Sequence, residues 1–194
     1  MKKVAACALL TGAMGLFGTQ LWAAERPAEL SRVLPAANLA GQATLRFWGF
    51  DVYQASLWVE PGFKAAQYAQ SAFALELRYL RDFAGADIAK RSIAEMRRQG
   101  PLDAQQAAQW EAQMRAVFPD VEARERITGI NQPGVGAVFL RNGRPLGTIA
   151  DPAFAKVFFG IWLSEQTSEP AMRSALISRA QTVALTTQPE AASP

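Results

Sequence analysis

The sequence predicts an α+β fold, a largely antiparallel sheet with helices gathered on one face. Three observations carry this. Apolar, aromatic-rich strand patterns crowd into residues 43–80. Two helix-period stretches follow back to back, then an Asn-Gly hairpin, then two further helices. Strands and helices are therefore segregated along the chain, where a parallel sheet would need them to alternate.

Residues 1–23 read as a secretory signal peptide. Lys2 and Lys3 form a positive n-region, residues 4–21 are apolar and small, and Leu21-Trp22-Ala23 ends on a small residue suited to cleavage. The apolar run is short for a membrane anchor and has no stop-transfer flank. Cys7 comes too early for a lipoprotein acylation box and belongs to the leader. The expected location is the periplasm or outside the cell. Residues 24–180 form one expected domain, and the polar, Pro/Ala/Thr-rich stretch 181–194 is expected to be disordered.

Within the domain, residues 24–41 are a weakly patterned lead-in. Residues 43–60 are extended, with Gly49 marking a bulge or sharp bend and Pro61-Gly62 closing the stretch. A short helix is expected over 65–70. Residues 73–80 alternate, with Phe73, Leu75, Leu77 and Tyr79 on one face and Glu76 and Arg78 on the other, a strand. Asp87 is placed as the N-cap of a helix reaching Gln99, with Ile88, Ser92, Ile93 and Met96 inward, Arg91, Glu95 and Arg98 outward, and Gly100 as the stop. Asp103 caps the next helix, 104–118, which ends at Pro119. Strands return at 126–131 and 137–141. Asn142-Gly143 predicts a type I′ hairpin turn, and Pro145 assigns the second arm to a sheet edge. Asp151-Pro152 opens a helix by N-cap and N1 proline, and Ser168-Glu169-Pro170 opens the last one.

Composition excludes several chemistries. The chain has no histidine, and its one cysteine is Cys7 in the leader, so Ser-His-Asp and Cys-His catalysis and His/Cys zinc sites are ruled out. No acidic cluster suggests calcium, and no metal or cofactor is expected. The formal charge of +3 falls to +1 once Lys2 and Lys3 leave. Lys90-Arg91 and Arg97-Arg98 read as a solvated helix face, so nucleic acid is not an expected partner. Pro133–Gly136 is a turn, not a phosphate loop.

The ligand-binding candidates all come from the aromatic stretch. Arg46 sits among Leu45, Phe47, Trp48 and Phe50, where a guanidinium could clamp a carboxylate. Tyr53 could offer a hydroxyl to a ligand or to Arg46. Seven residues separate the two, so they face opposite sides unless the bend at Gly49 resets the parity. Trp48 and Trp58 could wall an apolar pocket. One sheet face would pack helices and the other would shelter the ligand.

The order of elements, with particular residues in it, resembles the chalcone isomerase superfamily, specifically its bacterial secreted chalcone isomerase-like members. The matching segments are Phe47-Trp48-Gly49-Phe50-Asp51-Val52-Tyr53, Arg81-Asp82-Phe83, Phe158-Phe159-Gly160-Ile161-Trp162-Leu163 and Ser168-Glu169-Pro170. The resemblance implies an open-faced β-sandwich, a curved, mainly antiparallel sheet with helices on one side. The family holds plant enzymes that cyclise chalcones and fatty-acid-binding relatives without that activity. The enzymes' catalytic arginine, expected about twelve residues before Trp48, has no counterpart, since no arginine lies between Val33 and Leu45. Trp48 stands where a threonine is expected, and Pro101 near the place of a tyrosine. The expectation is a periplasmic, non-catalytic binder of a small apolar or amphipathic ligand such as a fatty acid. An isomerase (intramolecular lyase) acting on an enone is the alternative, with an envelope protein-interaction module the second. No stable membrane anchor is expected after signal cleavage.

Overall fold

The computed structural model describes residues 26–180. The expected signal peptide and the expected tail at 181–194 lie outside the described residues. The described chain builds one six-stranded sheet in which every neighbour is antiparallel and the spatial order follows the sequence. The strands are β1 (Asn38–Phe47), β2 (Phe50–Val59), β3 (Phe73–Tyr79), β4 (Arg126–Gln132), β5 (Gly136–Arg141) and β6 (Arg144–Ile149). The helices are α1 (Gly85–Arg98), α2 (Ala104–Val117), α3 (Pro152–Leu163) and α4 (Pro170–Leu176), with short 3₁₀ helices at Ala28–Arg32 and Ala65–Gln70.

Two turns of one kind set the ends of this meander. Asn142 and Gly143 both take positive φ (49° and 81°), as a type I′ turn requires, and β6 becomes the edge that Pro145 demands. Trp48 and Gly49 do the same at 50° and 82°. The expected bend at Gly49 is therefore a complete reversal, with Phe47 paired to Phe50. β1 also begins at Asn38, inside the expected lead-in, because its early residues pair with Val59 and Trp58.

Side chains on alternate residues supply two cores. On the helix side, Leu57, Phe73, Leu75, Leu77, Tyr79, Ile127 and Phe139 meet Ile93, Met96, Met114, Phe154, Phe158, Phe159, Trp162 and Leu176. On the opposite side, Trp58, Ala74, Ile130 and Leu140 are covered by Leu30, Leu34 and Ala37 of the N-terminal segment. This corrects the expectation of one free sheet face. The Pro/Ala-rich lead-in carries two leucines spaced to reach the sheet, and burying them removes both leucines and Trp58 from water.

The helix ends follow local chemistry. Asp103 accepts from the Gln105 and Gln106 amides, and Asp151 from those of Ala153 and Phe154, with Pro152 opening α3. α1 departs from expectation. It starts at Gly85, two residues before Asp87, because Asp120 reaches across from the α2–β4 connection to accept the Gly85 N–H at 2.9 Å. Gly85 has no room for a side chain there, since a Cβ would lie 2.2 Å from the Phe118 carbonyl oxygen.

Candidate functional site

The apolar layer between the sheet and α3 is the most ligand-like interior of the described residues. Its walls are Leu75, Leu77, Ile127, Gly129, Phe139, Phe158, Phe159 and Trp162, around a cavity of about 20 Å³. Gly129 makes the gap possible. A Cβ at this position would press on the Phe159 and Phe139 rings at 3.0 and 3.3 Å. Phe158 closes the layer from the helix side, its ring centroid 5.3 Å from that of Phe139 and 5.6 Å from that of Trp162. These edge-on contacts fill the space that a ligand would need.

The polar rim of this layer centres on Tyr53. Its hydroxyl accepts the Trp162 indole N–H at 2.9 Å, and its ring meets Tyr79 edge-on at 6.2 Å. Burial pushes the Tyr53 and Tyr79 hydroxyls well above the usual phenol range. Both are neutral at any physiological pH, and Tyr53 can donate its proton to an incoming acceptor.

Glu95 brings a charge inward, where the helix pattern predicts an outward, solvated side chain. It is 8% exposed and accepts the Ser168 hydroxyl at 2.7 Å. Arg91 and Arg98 flank it at 2.6 and 3.6 Å, one turn before and one turn after. That i−4, i+3 bracket was visible in the sequence and is the signal that could have found it.

The four sequence candidates do not converge. Arg46 and Trp48 stand together at the β1–β2 tip, in solvent. The Arg46 side chain is 73% exposed and is bonded to Asp51, which favours its charged form. Trp48 is 87% exposed. Tyr53 faces the helix layer, paired across the strands with Leu45 and Tyr79. Trp58 lies on the opposite sheet face under Leu30 and Leu34, its indole nitrogen buried without a hydrogen-bond partner. Tyr53 and Trp58 share β2 at an odd separation of five residues and so take opposite faces, while the turn separates Arg46 and Trp48 from both. The chain reverses at Trp48-Gly49, and a register shift between Leu45 and Arg46 disrupts the pairing beside it. The run is thus two antiparallel strands, and even spacing along it no longer means one shared pocket.

A larger depression of about 560 Å³ lies elsewhere, at the β5–β6 tip, lined by Glu125, Arg141, Asn142, Arg144, Pro145 and Leu146. It is a wide dish, and its central charges satisfy each other. Arg141 donates to both Glu125 carboxylate oxygens at 2.7–3.0 Å. The size of this dish therefore says less about binding than the small apolar cavity does. Among the described residues no group of three or more His, Cys, Asp or Glu could hold a metal, and no helix is long and apolar enough to cross a membrane.

The model of the chalcone isomerase-like family matches residues 35–178. The chain belongs to the chalcone isomerase-like family. No curated protein sequence matches it. Among solved structures it is similar to a fatty-acid binding protein of Arabidopsis thaliana, at TM-score 0.62 and 10% identity, over 77% of this chain and 91% of that one. At that identity the likeness speaks to the fold. The chalcone isomerase-like architecture expected from the sequence is the one observed, an open antiparallel sheet with α1–α4 on one face.

Proposed function

We propose that this protein is a periplasmic, non-catalytic binder of a small apolar or amphipathic molecule, with a fatty acid the favoured class. The observation that carries the reading is the all-apolar gap over Gly129, between the sheet and α3, with the Tyr53 hydroxyl nearby at the same layer's rim. The name of the Arabidopsis neighbour supports the class of ligand. The gap as it stands holds about one water, whereas ligand pockets run to roughly 300 Å³ or more. Binding therefore requires Phe158 and Trp162 to swing out, or α3 to shift, as the chain enters. A buried ten-carbon chain would gain roughly 8 kcal/mol by transfer, before association and the displacement of those rings are charged against it.

The lyase alternative finds less support. Its intended electrophile, Arg46, is solvated and engaged by Asp51, away from the apolar layer. Electrostatic catalysis needs a donor aimed at the developing oxyanion.

Native mass spectrometry of the chain purified from the periplasm tests the binder reading, with thermal melts in added C10–C18 acids. At about 100 times Kd, a ligand should stabilise the protein by about 2.7 kcal/mol, several degrees in Tm. A Gly129→Val chain should melt cooperatively yet ignore the acids. Absence of any bound lipid, together with melts indifferent to every acid, would sink the reading.

A further inference from the structure

The β1–β2 tip is the most conspicuous surface that the proposed function leaves unused. Phe47, Trp48 and Phe50 are 56%, 87% and 59% exposed, and Leu80 beside them is 39% exposed. Scattered exposed apolar residues are ordinary, but three aromatics on one turn are not. The tip also projects. The last registered β2–β3 pair is Tyr53 with Tyr79, and one further bond joins Leu80 N–H to the Val52 carbonyl, so residues 46–51 extend past β3.

The backbone adds an independent observation. Trp48 takes φ of +50° at the first central position of the turn. Asn, Asp or Gly suit that position, and a bulky side chain is strained there. Local backbone preference thus argues against the very residue that is most exposed, a pattern that points to a role beyond the fold.

Charge indicates what that is. The Arg81 guanidinium lies 4.7 Å from the Phe50 ring centroid, Arg124 is exposed beside the end of β3, and Arg144 is exposed at the same end of the sheet on the far edge strand β6. None of the three has a carboxylate within 4.0 Å among the described residues. The nearby acids are partly engaged. Asp51 pairs with Arg46 and Glu125 with Arg141, whereas Asp82, which accepts the Ala123 N–H, and Glu122 have no cation partner among the described residues, so the three arginines outnumber these acids by one charge. Stacked aromatics beside an arginine that has no carboxylate partner match the headgroup zone of a bilayer, where tryptophan is favoured and anionic lipid attracts arginine.

The geometry points to a membrane-docking tip. Phe47, Trp48 and Phe50 enter the interface of an anionic phospholipid bilayer, and Arg81 sits at headgroup level. The site is separate from the apolar gap over Gly129 and does not depend on a ligand there.

Tryptophan fluorescence reads this directly, because Trp58, Trp110 and Trp162 are only 3%, 3% and 6% exposed. The mature chain is mixed with phosphatidylcholine vesicles, with and without phosphatidylglycerol, some carrying brominated acyl chains. The expected result is a blue shift and bromine quenching, stronger with phosphatidylglycerol. Trp48→Phe should keep flotation with vesicles and lose the quenching. The triple change of Phe47, Trp48 and Phe50 to Ser should weaken flotation by about tenfold or more, while its thermal melt stays cooperative and within about 4 °C of the parent's. Gly129→Val should float like the parent. Unchanged emission with both vesicle types overturns the proposal, as does triple-variant flotation equal to that of the parent, which would put the contact elsewhere.

Discussion

Tyr53 and Trp162 hold each other in place across the sheet–helix layer, and removing the hydroxyl should expose how much that bond contributes. Tyr53→Phe leaves the Trp162 N–H buried without an acceptor, and a loss of about 1–3 kcal/mol is expected in urea unfolding. All three tyrosines of the chain, Tyr53, Tyr68 and Tyr79, have pKa values raised by burial, with Tyr68 pushed up to about 12. The folded state therefore prefers the neutral phenol. Their contribution to stability is complete below the unfolded value near 10 and is lost as pH climbs through the raised folded values. Tyrosinate absorbance should stay low at pH 10 in the folded protein and rise together with unfolding; ordinary titration near pH 10 with the fold intact would contradict this. Trp48 offers the opposite test. Trp48→Asn should stabilise the isolated domain by about 0.5–1 kcal/mol by relieving the left-handed backbone, measured by the shift in the urea midpoint.

At the scale of elements, two caps that look alike in sequence should differ in consequence. Asp103 serves only the start of α2. Asp151 caps α3 and also accepts the Trp110 indole N–H from α2 at 2.8 Å, so it joins two helices. Asp103→Ala should cost about 1 kcal/mol, whereas Asp151→Ala, which orphans three donors, should cost about 3 kcal/mol or more. Comparable losses for the two variants in parallel denaturation curves would show that the Trp110 bond contributes little. The caps at Asp103 and Asp151 were legible because a capping side chain and its amides lie within three residues. The start of α1 was not, because its acceptor, Asp120, is 35 residues away from Gly85. Glu95 was misplaced for a related reason. Its arginine neighbours were readable on the helix, but Ser168, which helps to bury it, belongs to a distant connection.

For the whole molecule, the second core beneath the N-terminal segment matters most. Leu30 and Leu34 are 0% and 1% exposed against the outer sheet face. Replacing both by alanine should cost at least about 4 kcal/mol and should redden Trp58 emission as water reaches it. An unchanged midpoint would mean that the segment merely rests on the sheet. α4 closes the other side just as tightly, since a Cβ on Gly41 of β1 would stand 2.0 Å from the Ala175 carbonyl oxygen. The sheet is thus covered on both faces, and an apolar ligand has to enter a packed layer.

The sequence by itself determined the kinds of element, their order and most of their ends, since strand alternation, the Asn142-Gly143 turn and the aspartate caps act over two to four residues. It also carried the family likeness, which depends on that order. Tertiary structure decided which face each strand buries against which layer, that residues 26–37 form a lid, and that Arg46, Tyr53 and Trp58 part company. Those outcomes rest on contacts between segments far apart in the chain. They rest as well on a reversal at Trp48-Gly49, where a tryptophan occupies a backbone conformation that its own side chain disfavours, so that local propensity concealed the turn.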